Sequence, residues 1–136
     1  MKLVALTCAP NAAWLGLRSA LWPDTSEADH QEEMAAFVAD PARYGQFMAY
    51  ADDGTPVGLA EVSVRTDYVN GTGTSPVAFL EGLYVAPAAR RQGVARALLL
   101  EVRAWARTRG CQELASDTDL ENTLSQAVHS RLGFTE

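Results

Sequence analysis

The chain has two cysteines in 136 residues, Cys8 and Cys111, far apart in sequence. That count excludes a disulfide framework and fits a reducing compartment, so a soluble cytoplasmic protein with two small buried thiols is expected. No long hydrophobic run is present. The opening MKLVALTCAP has one lysine and an apolar stretch too short for a signal-peptide core, and far short of the ~20 apolar residues that span a bilayer. Positive charge is not in excess either: 11 Lys+Arg against 17 Asp+Glu give a formal net charge of -6, which argues against nucleic acid as a partner. No repeat, low-complexity tract or linker divides the sequence, and 48% hydrophobic residues suffice for a single domain over residues 1–136. Several chemistries lack their motifs. There is no G-x-x-x-x-G-K-[ST] and no G-x-G-x-x-G. HQEEM around His30 lacks the second histidine of H-E-x-x-H, no other grouping suggests a metal, and neither cysteine sits beside a base as a covalent nucleophile would.

What is present is unevenly distributed. Residues 86–110 carry Arg90, Arg91, Arg96, Arg103, Arg107 and Arg109 against Glu101 alone, a segment suited to an anion. The acidic excess lies elsewhere, including Asp24, Glu27, Asp29, Glu32 and Glu33, which read as a solvated helix face or as a field that steers a polycation. Apolar periodicity alternates between strand and helix. LVAL predicts a strand; Trp14, Leu17 and Leu21 mark one face of a short helix ending at Trp22-Pro23; a second helix covers about 26–38. FMAYA and VGLAEVSVR around DDG predict a hairpin with Asp-Gly at the positive-φ turn. DYVNGTGTSP is a loop, and VAFLEGLYV a strand that stops at Pro87. Val94, Leu98, Val102 and Trp105 form one stripe of a helix ending near Gly110, and CQELAS is the next strand. Thr118 and Glu121 fit a capping box for a last helix, whose polar stripe is Asn122, Ser125 and His129 and whose end is Gly133. The order β-α-α-β-β-β-α-β-α predicts an α/β domain with a mixed sheet.

Arg90-Arg91-Gln92-Gly93-Val94-Ala95-Arg96 lies between a buried strand and a long helix. Free N–H groups at the helix start, the dipole, and small Gly93 and Ala95 together suit a pyrophosphate. Arg90, Gly93 and Ala95 match R-x-x-G-x-A, and Asn122, Ser125, His129, Gly133 and Phe134 match N-x-x-[AS]-x-x-x-[YH]-x-x-x-G-F. The two blocks resemble the acyl-CoA signatures of the GNAT superfamily. TDYVNGTGTSPVAFLEGLYV and ASDTDLENTLSQAVHSRLGF are similar to its aminoglycoside 6'-N-acetyltransferase branch.

The resemblance implies the GNAT acyl-CoA N-acyltransferase fold, a mixed and mostly antiparallel sheet flanked by helices. The sequence stops at Thr135-Glu136, where the family continues into a final strand, so the expected fold lacks that strand. A homodimer is implied as well. Acetyl-CoA is the implied cosubstrate, its pantetheine paired with the backbone of Leu83, Tyr84 and Val85 and contacted by Asn122. The amides of Arg91, Gln92, Gly93, Val94, Ala95 and Arg96 would take its pyrophosphate. For the acceptor, the branch points to Trp22, Thr25, Tyr68, Glu81 and Asp117. The residue types agree, because carboxylates hold ammonium groups and aromatic faces pack on rings and cations.

Glu81 interrupts an apolar run, so it must face a cavity or have a partner. Asp117 follows a strand at its carboxyl end, where open α/β sheets expose their sites. A protonated amine cannot attack a thioester, so a base is required: Glu81 first, Asp117 second. A strand amide near Leu83 would polarise the carbonyl. His129 stands where many GNAT enzymes have a tyrosine acid; a thiol pKa near ~8.5 lets the thiolate leave without one, and His129 reads equally as a cofactor contact. Two alternatives stay open. One is a GNAT enzyme for another small amine or a protein N-terminus; the other is a non-catalytic acyl-CoA-binding sensor.

Overall fold

The expected order of strand and helix is realised over the residues that the computed structural model describes, 1–66, 73 and 76–116. β1 (Lys2–Ala5) leads to α1 (Ala12–Leu21) and α2 (Glu27–Ala39). Both helices start on a side-chain cap: Asn11 Oδ1 accepts from the Trp14 N–H at 3.0 Å, and Ser26 Oγ from the Asp29 N–H at 3.1 Å. Each cap satisfies a donor that the first helical turn leaves free. β2 (Tyr44–Tyr50) and β3 (Pro56–Arg65) form the expected hairpin, with Gly54 at φ 89° supplying the left-handed turn residue. β4 (Val77–Val85) coincides with VAFLEGLYV, and a 3-10 turn at Pro87–Ala89 precedes α3 (Val94–Thr108). β5 is only Leu114–Ser116, shorter than CQELAS, because the Cys111 N–H is spent on Ala106 O in closing α3. The capping box at Thr118–Glu121 and the helix expected after it lie outside the described residues.

The sheet runs in the order β1-β2-β3-β4-β5, antiparallel throughout except for the parallel β4–β5 pair. A parallel neighbour needs a crossover, and α3 provides it. On the α3 face, Phe47, Ala60, Val62, Leu80 and Leu83 meet Val94, Leu98 and Val102 in one apolar cluster. On the opposite face, Trp14 and Leu17 of α1 and Met34 of α2 pack on Met48 and Leu59. Among the described residues, no helix is long and apolar enough to cross a membrane. Cys111 is buried as expected. Cys8, in the β1–α1 connection, is exposed instead.

A break in the register of β4 shapes everything above it. Glu61 pairs with Gly82 and Val62 with Leu80, so Glu81 is an extra residue opposite no partner on β3. This bulge shifts the phase of the strand. Ala78 and Leu80 before it, and Leu83 and Val85 after it, all face α3, while Glu81 and Gly82 are both turned toward α1.

Close approach of helix to sheet is set by glycine at Gly45, where a Cβ would lie 2.7 Å from the Trp105 indole. Gly45→Ala forces that rigid ring to move, and overpacking of this kind costs about 1–3 kcal/mol. Chemical denaturation of the variant is expected to give a lower midpoint at an unchanged m-value.

Candidate active site

The start of α3 differs from the other two helices. Its cap is Gly93, in the left-handed region at φ 82°, with no side-chain hydrogen bond to the first turn. Arg91 is also left-handed, at φ 65°. Arg91, Gln92, Gly93 and Arg96 are exposed, and a Cβ built at Gly93 would meet only open space. The uncapped N–H groups of this turn and the helix dipole therefore face outward together, an arrangement that suits a phosphate chain. Val94 and Ala95 contribute only backbone here, since both side chains turn toward the α3 core.

The arginine-rich segment is less unified than its sequence suggests. Arg90 turns back, its Nε donating to Val85 O at 3.0 Å. Arg109 lies at the far end of α3, about 22 Å away at ~1.5 Å per residue. There it stacks on Trp105 at 4.1 Å and donates to Pro41 O at 2.9 Å, a structural role that corrects the reading of the whole segment as an anion site. β4 and β5 pair only at Ala78, Phe79 and Leu80. Beyond that point β4 has no strand partner on this side among the described residues, so the edge at Leu83, Tyr84 and Val85 is open, with the Val85 carbonyl already engaged by Arg90.

On the α1/α2 face lies an open cleft of about 640 Å³. Trp22 and Thr25, which follow α1, form part of its wall, and Glu81 lines it from β4. β3 alternates with period two, so Leu59 packs under α1 while Glu61, Ser63 and Arg65 enter the cleft. The Trp22 ring covers Gly82 so closely that a Cβ there would come within 2.5 Å of it.

The cleft floor is a buried polar network. The Glu61 carboxylate is 3% exposed and takes the Trp14 indole N–H at 2.8 Å and the Arg18 Nη1 at 2.9 and 3.0 Å. Arg18 Nε donates to His30 Nδ1 at 3.0 Å, which makes that nitrogen an acceptor and places the ring proton on Nε2. Arg18 Nη2 binds Glu33, and its guanidinium stacks on Trp22 at 4.9 Å and Phe37 at 5.5 Å. Burial pushes the Glu61 carboxyl above its ordinary range, against the pull of the Arg18 charge and the Trp14 hydrogen bond. Glu81 is half-buried. Its Oε2 accepts from Ser63 Oγ at 2.6 Å and Arg65 Nη2 at 3.0 Å, so it both faces a cavity and has partners.

Three of the expected acceptor residues, Trp22, Thr25 and Glu81, thus share one cleft. Tyr68, Asp117, Asn122 and His129 lie outside the described residues. The carboxylates of the cleft are paired. Among the described lining residues Arg18, Arg43 and Arg65 balance Glu33, Glu61 and Glu81. Sequence reasoning missed Glu61 and its partner Arg18, although Glu61 carries the same signal as Glu81, a carboxylate inside an apolar run.

The sequence pattern of the Acetyltransferase (GNAT) family matches residues 14–134. The chain is 55% identical to the aminoglycoside N(6')-acetyltransferase type 1 of Serratia marcescens, over 91% of this chain and 84% of that one. Its structure is similar to aminoglycoside N-acetyltransferase AAC(6')-Iy in complex with CoA, with TM-score 0.88 and 41% identity over 99% of this chain and 88% of that one. It is also similar to AAC(6')-Iy in complex with the bisubstrate analogue CoA-S-monomethyl-acetylneamine, with TM-score 0.85 and 41% identity, covering 100% and 92% of the two chains.

Arg18→Met leaves Glu61 buried without its countercharge, a loss of about 3–5 kcal/mol at neutral pH. The double variant Arg18→Met/Glu61→Leu removes both charges and is expected to recover most of that loss in thermal melting. Additive destabilisation in the double variant would mean that the two side chains are not energetically coupled.

Proposed function

The chain belongs to the GNAT acetyltransferase family, and we propose that it transfers the acetyl group of acetyl-CoA to the 6'-amine of an aminoglycoside by direct attack, with Glu81 as base. The reading is carried by one observation: β4 joins the two halves of the site. Its bulge lets Glu81 face the cleft while Leu80 and Leu83 both face α3, and its edge at Leu83–Val85, which no described strand pairs, runs on into the uncapped turn before α3. A strand edge that no described strand pairs suits an extended amide-bearing arm such as pantetheine, and the Arg91–Arg96 turn suits the pyrophosphate at its end. Acetyl-CoA lying this way brings its thioester to the β4 segment that carries Glu81. The CoA and acetylneamine complexes of the relatives support the pair of substrates.

In this reading Glu81 accepts a proton from the acceptor ammonium, directly or through one water. The free amine attacks the thioester carbonyl, whose oxygen leans on a strand amide near Leu83. The new N–C bond forms as the C–S bond breaks with its electron pair on sulfur, and the second nitrogen proton ends on the thiolate. Trp22 and Thr25 wall the acceptor; Tyr68 and Asp117 complete its pocket, and Asn122 and His129 contact the cofactor, on the strength of the resemblance. We further infer a cytoplasmic homodimer from the resemblance alone.

The test is thiol release from acetyl-CoA with kanamycin, spermidine and an amino-terminal peptide as acceptors. Release with kanamycin alone is expected. Equal release from the other amines would change the substrate, and saturable acetyl-CoA binding without release would indicate a sensor. Glu81→Gln is expected to lower kcat about 10²- to 10⁴-fold while the KM for acetyl-CoA holds.

A further inference from the structure

The two arginine–carboxylate pairs of the cleft differ in kind. Arg18 is 2% exposed and is fixed by Glu61, Glu33 and His30 together. Nothing entering from solvent can replace it without dismantling the floor. The side chain of Arg65 is 38% exposed and reaches Glu81 through a single hydrogen bond, at 3.0 Å. Two features let that bond open without disorder. The guanidinium lies 3.8 Å above the Phe79 ring, a face that continues to hold it once it leaves the carboxylate. Ser63 Oγ, 2.6 Å from the same Oε2, keeps the carboxylate in place when the arginine is gone.

We infer that Arg65 is a resident competitor for the acceptor ammonium, held on Glu81 while the cleft is empty and exchanged for the substrate cation on binding. This rests on Glu81 as the acceptor's carboxylate, the reading given above. The exchange is one cation for another, so the pairing of Glu81 is conserved as the acceptor enters. It also has a direction. Acetylation converts the ammonium into a neutral amide and leaves its proton on Glu81; once Glu81 passes that proton to water, the amide cannot hold the restored carboxylate against a guanidinium, so Arg65 returns and the product is displaced. Arg65 therefore sets how tightly an amine is held relative to its acetylated product, and relative to an acceptor with a hydroxyl at the reacting position.

The experiment is calorimetric binding in the absence of acetyl-CoA, using neamine and paromamine, which differ by an amine or a hydroxyl at the 6' position. Arg65→Met keeps the stem over Phe79 and removes the charge. It is expected to tighten neamine about two- to fivefold, the range of a half-exposed ion pair, and to leave paromamine unchanged. Arg65→Lys is expected to behave as wild type. In a Glu81→Gln background the gain from Arg65→Met disappears, because the competition is for that carboxylate. Weaker neamine binding by Arg65→Met, equal tightening of both ligands, or a gain that persists with Glu81→Gln would each overturn the exchange. Thermal melting of each variant separates these outcomes from misfolding. If wild type bound neamine with this pattern but released no thiol from acetyl-CoA, the transferase reading would fall and the exchange would stand.

Discussion

The molecule is organised around one buried cation. Arg18 lies where α1, α2 and the sheet meet, and each of its nitrogens is directed to a different partner: Glu61 on β3, His30 and Glu33 on α2. A buried charge is tolerated only when it is paired and fully hydrogen-bonded, so these contacts fix the geometry of all three elements at once. The stacked rings of Trp22 and Phe37 close over the guanidinium, which ties the cleft wall to the same point. The site is therefore not an ornament on a finished fold. Its floor is the junction through which the two N-terminal helices are held to the sheet.

The second constraint is the extra residue in β4. In a regular strand Glu81 and Leu83 share a face, so either the carboxylate would enter the apolar cluster or Leu83 would enter the cleft. The extra residue resolves the conflict: Glu81 stays on the cleft face, Leu80 and Leu83 both stay in the core, and Gly82 is left as the flat spot on which Trp22 rests. Bulges recur beside active sites because one inserted residue redirects a side chain without disrupting the remainder of the ladder.

The sequence displayed the architecture well because period-two and period-3.6 patterns report burial directly, and here the strands and helices are amphipathic in the ordinary way. VAFLEGLYV became β4 with no change of boundary, and Trp14, Leu17 and Leu21 marked the correct face of α1. The uncapped turn before α3 was legible because a glycine at a helix start is a local property. The floor of the cleft was not. Arg18, His30 and Glu61 are distant in the chain; Arg18 and His30 alone read as surface or incidental polar residues, and the interruption of an apolar run by Glu61 does not say what it pairs with, so only the fold brings them together. The bulge was invisible for a related reason, since Glu81 and Gly82 show no pattern that demands an extra residue. The pairing of Glu81 with Arg65 depends on cross-strand register, which a single strand does not encode.

The separation of the two faces has a consequence for how such a protein can change over generations. In the function proposed above, the acyl donor would be recognised by backbone at the start of α3 and the edge of β4, whereas the acceptor would meet side chains of the α1/α2 face. Backbone contacts tolerate replacement of the residues that make them. Acceptor preference can therefore drift through rim positions such as Arg43 and Thr25 while donor chemistry stays intact. Positions that also carry the fold, Arg18 and Glu61 above all, are closed to that drift, so diversification is channelled along the margin of the cleft and away from its floor.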